Sequence, residues 1–297
     1  MLNGKVFTAD PTRPLAEAVA VEDGRISAVG SSDELRQLAG PGTRVIDLGG
    51  RLVTPGLVEA HVHLGWNLPS RPLAMPGPPF PGPSAEQMLA AVEAAAKTDP
   101  QVWISAWIGP RIARDPRNWR AALDTVAPNT PVLLRAFWGH GTLVNSEALK
   151  RLAIKEDVPD PLGGWWGRGA DGRLDGRVYE SAENLEQRAA APDPAALAIE
   201  FREAGQRYAR WGVTSIHLMN SGHPLQAAVQ ALAAAGTPQK WTIYSWAGPV
   251  SRIADAWTTL DDTARSLPPR VRIEGPKWLL DGTPIEQNAL QRRPYAG

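Results

Sequence analysis

After Ala190 the chain alternates between helix and strand signals, and no other feature of the sequence restricts its fold so sharply. Asp193 and Pro194 open a helix that runs to Trp211 and stops at Gly212, and VTSIHLM follows as a strand. Residues from His223 to Ala235 form a second helix leading to the strand WTIYSWAG, and a third helix leads to PKWLLDGT. Strands separated by helices are joined by crossovers. The order αβαβαβ therefore predicts an α/β protein with a parallel sheet or barrel, and with reactive groups at the carboxyl ends of the strands.

Upstream the texture differs. KVFTA reads as a strand, and AVAVEDGRISAVG as two alternating runs around Asp23-Gly24, a two-residue hairpin signal. SSDELRQLAG reads as a short helix with a Ser cap and a Gly stop, and RVIDL and RLVTPG as strands. PSRPLAMPGPPFPGP, from Pro69 to Pro83, is too rich in proline for a helix or a central strand. Ser84 and Gln87 have capping-box spacing ahead of an Ala-rich helix to Lys97. VWISAWI and PVLLRAFW are strand-like, with a helix over Trp119 to Val126 between them. Asp160 to Glu180, with Asp171-Gly172 and Asp175-Gly176, is expected as an exposed hairpin.

Composition excludes several classes of function. At 43% hydrophobic residues over 297 the chain can bury a sizeable core, which rules out wholesale disorder. Thirty-one basic and 31 acidic residues balance, so no long-range field draws in nucleic acid or anionic lipid. With no cysteine, a metal must be held by His, carboxylate or modified Lys. No apolar run reaches the roughly 18 residues a spanning helix needs, and MLNGKVFTAD lacks a signal-peptide pattern, giving a cytoplasmic expectation. Twelve tryptophans admit a carbohydrate-binding module as a non-enzyme alternative, although Trp103, Trp107, Trp246 and Trp278 lie in apolar segments that favour packing. The Gly-X-Gly-X-X-Gly string of Gly167, Gly169 and Gly172 follows Trp165-Trp166 into turns and suits no dinucleotide.

PGLVEAHVHLG carries the sharpest chemical signal. On a strand, Glu59, His61 and His63 share one face, and two same-face imidazoles reach one divalent ion at about 2.0–2.1 Å. The alternative is two partly exposed rings on an edge strand. Lys277 on PKWLLDG shares a face with Leu279 and Asp281, opposite Trp278 and Leu280. If that face is a barrel interior, its charge must be neutralised or its pKa must fall. His217, near the end of VTSIHLM, is read as a substrate or metal contact or as a core imidazole, and His223, ahead of Pro224, as a cap or surface residue.

The order NGKVFTADP, VAVEDGRISAVG, VIDLGGRLVTPGLVEAHVHL resembles the opening of the amidohydrolase superfamily. LDTVAPNTPVLLRAFWGHGTLVNSEAL, ADGRLDGRVYE and PKWLLDGTPIEQNAL resemble its amidohydrolase 3, or YtcJ-like, branch, so that the likeness covers nearly the whole chain. The resemblance implies an α/β fold: a TIM-like (β/α) barrel, here incomplete, with a small N-terminal β-sandwich and an inserted lid region. Residues 1–54 would be a partial composite sandwich, 55–69 the first barrel strand and loop, 70–190 the insertion, and 191–297 barrel units for about strands 2–4.

It further implies that His61 and His63 bind a divalent metal, with zinc expected, one or two ions, and that Lys277 is a catalytic and metal-bridging carbamate. His140, Glu180 and His217 would contact substrate, and Glu59, where the family has Asp, would keep an inward carboxylate. The implied reaction is metal-dependent hydrolysis of non-peptide carbon–nitrogen bonds in a small molecule, with no nucleic acid or membrane partner and with homo-oligomer formation left open. Two further histidines and a late Asp of the family have no match here. A barrel needs about 250 residues and this chain holds room for about four units, so it is expected to be the amino-terminal part of a longer enzyme, and unstable or inactive alone. An inactive scaffold, and deamination or isomerisation on the same fold, are the alternatives.

Overall fold

The computed structural model describes residues 1–65, 70–73, 81–161, 163–180, 182, 193–220, 223–246, 267–278 and 289–295. The chain divides into two compact units, Met1–Val58 with Tyr208–Ser215, and Glu59–Arg207 with Ile216–Gly297.

In the first unit, β1 (Lys5–Phe7) and β2 (Leu15–Ala16) are antiparallel, and β3 (Ala18–Glu22) and β4 (Arg25–Gly30) form the expected hairpin. Asp23 and Gly24 both have φ in the left-handed region, at 49° and 74°, the twist that such a tight turn requires. Ser31 caps α1 (Ser32–Gln37) in a reciprocal capping box with Glu34. β5 (Leu52–Val53) pairs parallel to β1. RVIDL does not become a strand; it makes one bridge, Leu2 to Asp47, before Gly49 and Gly50 turn the chain away. β6 (Leu57–Val62) runs from this unit into the second.

In the second unit, β7 (Ser70–Pro72), β8 (Trp103–Ile108) and β9 (Val132–Ala136) pair in parallel. β10 (Thr142–Val144) and the hairpin of β11 (Gly164–Arg168) and β12 (Leu174–Glu180) extend the sheet antiparallel, in the order β11-β12-β10-β9-β8-β7. α2 (Ala85–Ala96) and α4 (Trp119–Val126) bury Met88, Val92, Trp119 and Leu123 with Ile104, Ile108 and Leu134. Between them lies the short α3 (Pro110–Ala113). A second core joins Trp103, Leu133, Val144, Trp166 and Val178 to Leu149 of α5 (Ser146–Arg151). Both faces of β9 are covered, which is why VLLRA is buried throughout.

Three expectations differ from the structure. The Asp160 to Glu180 segment is no exposed excursion, because Trp166, Leu174 and Val178 are core residues. Asp175-Gly176 is no turn either; it lies inside β12, where Gly176 (φ 88°) brings the strand close to Arg120. Trp107, read as a packing residue, is 58% exposed.

The late alternation appears as α6 (Pro194–Ala209), β13 (Val213–Asn220), α7 (Leu225–Ala235), β14 (Lys240–Trp246) and β15 (Val271–Lys277). Asp193 Oδ1 accepts the Ala195 N–H at the start of α6, and the left-handed Gly236 ends α7. These strands form a sheet in the order β15-β14-β13-β6, with β14 and β15 parallel. The expected third helix, most of the Pro69 to Pro83 segment, and Leu279 to Asp281 lie outside the described residues. Among the described residues no helix is long and apolar enough to cross a membrane.

Candidate metal centre

β6 reaches the centre past a tight entrance. A Cβ at Gly56 would fall on the Thr214 side chain of β13, and the Leu57 N–H donates to Gly212 O at 2.9 Å. Glu59 does not stand off as a lone carboxylate, since its Oε1 accepts the main-chain N–H of His61 at 3.0 Å. Among the described strands β6 lies at one end of its sheet, and His61 and His63 both keep solvent access. The two rings nevertheless converge, with His61 Nε2 3.3 Å from His63 Nε2.

Lys277 arrives from the opposite edge of the same sheet. Its Nζ lies 3.1 Å from His61 Nε2. Three strand spacings put the outer strands of a flat sheet about 14 Å apart with side chains upright, so the sheet must be strongly concave on this face. A register shift in the β14–β15 pairing matters here: Ile243 faces Ile273, but Tyr244 faces Gly275 and Trp246 faces Lys277. Glu274 is the extra residue of this β-bulge, and it turns Lys277 onto the face of Tyr244 and Trp246.

Three bases this close cannot all be protonated. The His63 pKa falls to about 4, first through desolvation and then through the Lys277 and His61 charges, with a main-chain hydrogen bond to Met219 opposing and Arg135 adding to the fall. His61 is lowered by desolvation and then by Lys277, and Lys277 is lowered by desolvation. The cluster is therefore biased toward neutral nitrogen donors, the form a cation binds. Nitrogens on a tetrahedral zinc at ~2.0–2.1 Å lie about 3.3 Å apart, which matches the imidazole pair. The donor set thus fits a divalent ion, but among the described residues no group of three His, Cys, Asp or Glu side chains gathers to complete it.

The other candidate residues form separate groups. His140 Nδ1 and Glu180 Oε2 lie 2.8 Å apart, both side chains largely buried, at the end of the β9–β10 turn and of β12. Glu180 has φ 54°, a strained value for this residue type. The His217 ring meets Tyr244 at 5.8 Å between centroids. His223, expected as a cap or surface residue, is not the cap, since Pro224 is the N-cap of α7; the residue is partly exposed, with both ring nitrogens buried and its ring edge against Gly65.

Over residues 44–297 the sequence matches the amidohydrolase family. The chain belongs to that family. Residues 18–39 also match the bacterial imidazolonepropionase-like composite domain. The chain is 32% identical over 188 residues to the N-substituted formamide deformylase of Arthrobacter pascens, covering 62% of this chain and 34% of that protein. It is 30% identical over 194 residues to the putative amidohydrolase YtcJ of Bacillus subtilis, covering 64% and 36%, which supports the YtcJ-like branch. The chain thus spans about a third of the length of these curated relatives. An uncharacterized metal-dependent hydrolase from Pyrococcus horikoshii shares the fold, with TM-score 0.61 and 18% identity over 99% of this chain and 57% of that one.

Residue-by-residue reading took Trp246 for a packing residue and missed Tyr244 and Arg135. Arg135 is only 4% exposed, yet its charge reaches His63. An arginine in the otherwise apolar run VLLRA was the available signal.

Proposed function

We propose that the protein of which this chain forms part or all hydrolyses a non-peptide carbon–nitrogen bond of the amide type in a small molecule, at a divalent metal held by His61 and His63. The carrying observation is that His63 Nε2, from the same strand, and Lys277 Nζ, from across a four-stranded sheet, both lie within 3.3 Å of His61 Nε2. A bound cation supplies Lewis acidity toward a carbonyl and a lowered pKa for water, and zinc suits the nitrogen donors. His61 and His63 present neutral Nε2 atoms, and Lys277, with its depressed pKa, is the residue that would carry the carbamate and bridge to a second ion. The concave sheet is read as part of a (β/α) barrel. The likeness to a formamide deformylase supports N-substituted formamides as the first substrates to assay, and His140, Glu180 and His217 are read as substrate-side groups.

The test is metal analysis and turnover of the complete protein. His61→Ala is expected to remove bound zinc and to lower hydrolysis by at least about 100-fold; parental metal content and rate in this variant would reject the assignment.

A further inference from the structure

Gly65, two residues past His63, is buried with φ 85°, and its N–H donates to Glu200 Oε1 at 2.9 Å. A Cβ at Gly65 would lie 2.6 Å from His223 Cδ2 and 2.9 Å from Leu197 Cδ1, so this backbone is enclosed from two sides. One wall is α6. The other is the His223 ring, whose two nitrogens have no hydrogen-bond partner among the described residues, so it offers bulk and no described tether.

Glu200 is partly buried at the flank of the covered stripe of α6, one turn before Ala204, while Ile199 beside it is 52% exposed. Desolvation raises the pKa of this carboxyl, with the Gly65 N–H pulling it down. Packing alone would be served better by an apolar residue, because burying a carboxylate is costly unless a hydrogen bond repays it. The same helix leads directly into β13, whose Met219 backbone hydrogen-bonds His63. The end of the His-X-His segment is therefore held at two points by one helix–strand unit.

We infer that Glu200 is a positioning residue for the cation site: its carboxylate fixes the main chain at Gly65 and so sets the directions in which His61 and His63 present their Nε2 atoms. This rests on the reading of His61 and His63 as metal ligands. Outer supports of this kind change metal affinity about 10–100-fold when removed.

The test is zinc affinity of the complete protein by competition with a chromophoric chelator, alongside circular dichroism and Tm for each variant. Glu200→Leu is expected to weaken zinc about 10–100-fold, whereas Glu200→Gln, which keeps the acceptor oxygen and loses the charge, stays within about threefold of the parent. Parental affinity in Glu200→Leu, or an equal loss in both variants, overturns the inference. Should Glu200→Leu fail to fold, Glu200→Asp replaces it; drawing the oxygen back by one methylene is expected to weaken zinc about tenfold, and parental affinity there overturns the inference too. A parent that takes up no zinc overturns the metal-site reading and this role with it, while a parent that binds zinc independently of residue 200 overturns this role alone.

Discussion

Glu156 collects the Leu174 N–H at 3.0 Å and Arg120 Nη1 at 2.6 Å, tying the loop after α5 to the β11–β12 hairpin and α4. The Leu174 hydrogen bond, followed by the hydrogen bond from Arg120 and then its charge, holds its carboxyl below the ordinary 4.5 against the opposing desolvation. A depressed folded pKa means that the unfolded chain takes up the proton first as pH falls. Stability from Glu156 is thus fully present above about pH 4.5 and lost as the pH drops through the lower folded value. The urea midpoint of Glu156→Gln should lie below that of the parent at pH 6, with the gap narrowing by pH 3; a gap independent of pH would show that the charge contributes nothing. At this scale the sequence exposed the imidazole pair, because strand alternation alone aligns residues 61 and 63. It gave no sign of Glu200, whose neighbour Ile199 is the more apolar residue yet the one left in solvent, since only the packing of α6 decides which side of the helix is covered.

Among the elements, β15 decides most about the site. Plain alternation puts residues 273 and 277 on one face, but the extra residue at Glu274 separates them and sends Lys277 to the side of Trp246. Deleting Glu274 removes the extra residue but leaves Lys277 paired with Trp246, so zinc should stay within about threefold of the parent, whereas inserting one alanine after Gly275 moves Lys277 to the other face and should weaken zinc about 10–100-fold. Chelator competition on both variants checks this, and parental binding by the insertion variant would refute it. The caps and hairpins that the sequence marked locally appear, from the Ser84–Gln87 box to Asp23-Gly24, because each is satisfied within a few residues. The failures are pairings: RVIDL lacked a partner strand over its length, and the Gly-rich hairpin gained one in β10. Turn residues cannot reveal a partner more than 30 positions away.

For the whole molecule, zinc binding ought to be visible as stability. At zinc about 100 times its Kd the folded state should gain about 2.7 kcal/mol, raising Tm in the complete protein, with a chelator reversing the shift and His61→Ala abolishing it. Equal Tm values with and without the ion would contradict a cation bound only by the fold. The sequence by itself determined the α/β alternation, the two imidazoles of one strand face and membership of the amidohydrolase family, since periodicity and motif order are local or linear properties. Only the tertiary structure brought Lys277 to 3.1 Å from His61 across 216 positions, through the curvature of a sheet and a one-residue bulge. Curvature arises from strand twist and from packing summed over many residues, and no single stretch of the chain encodes it.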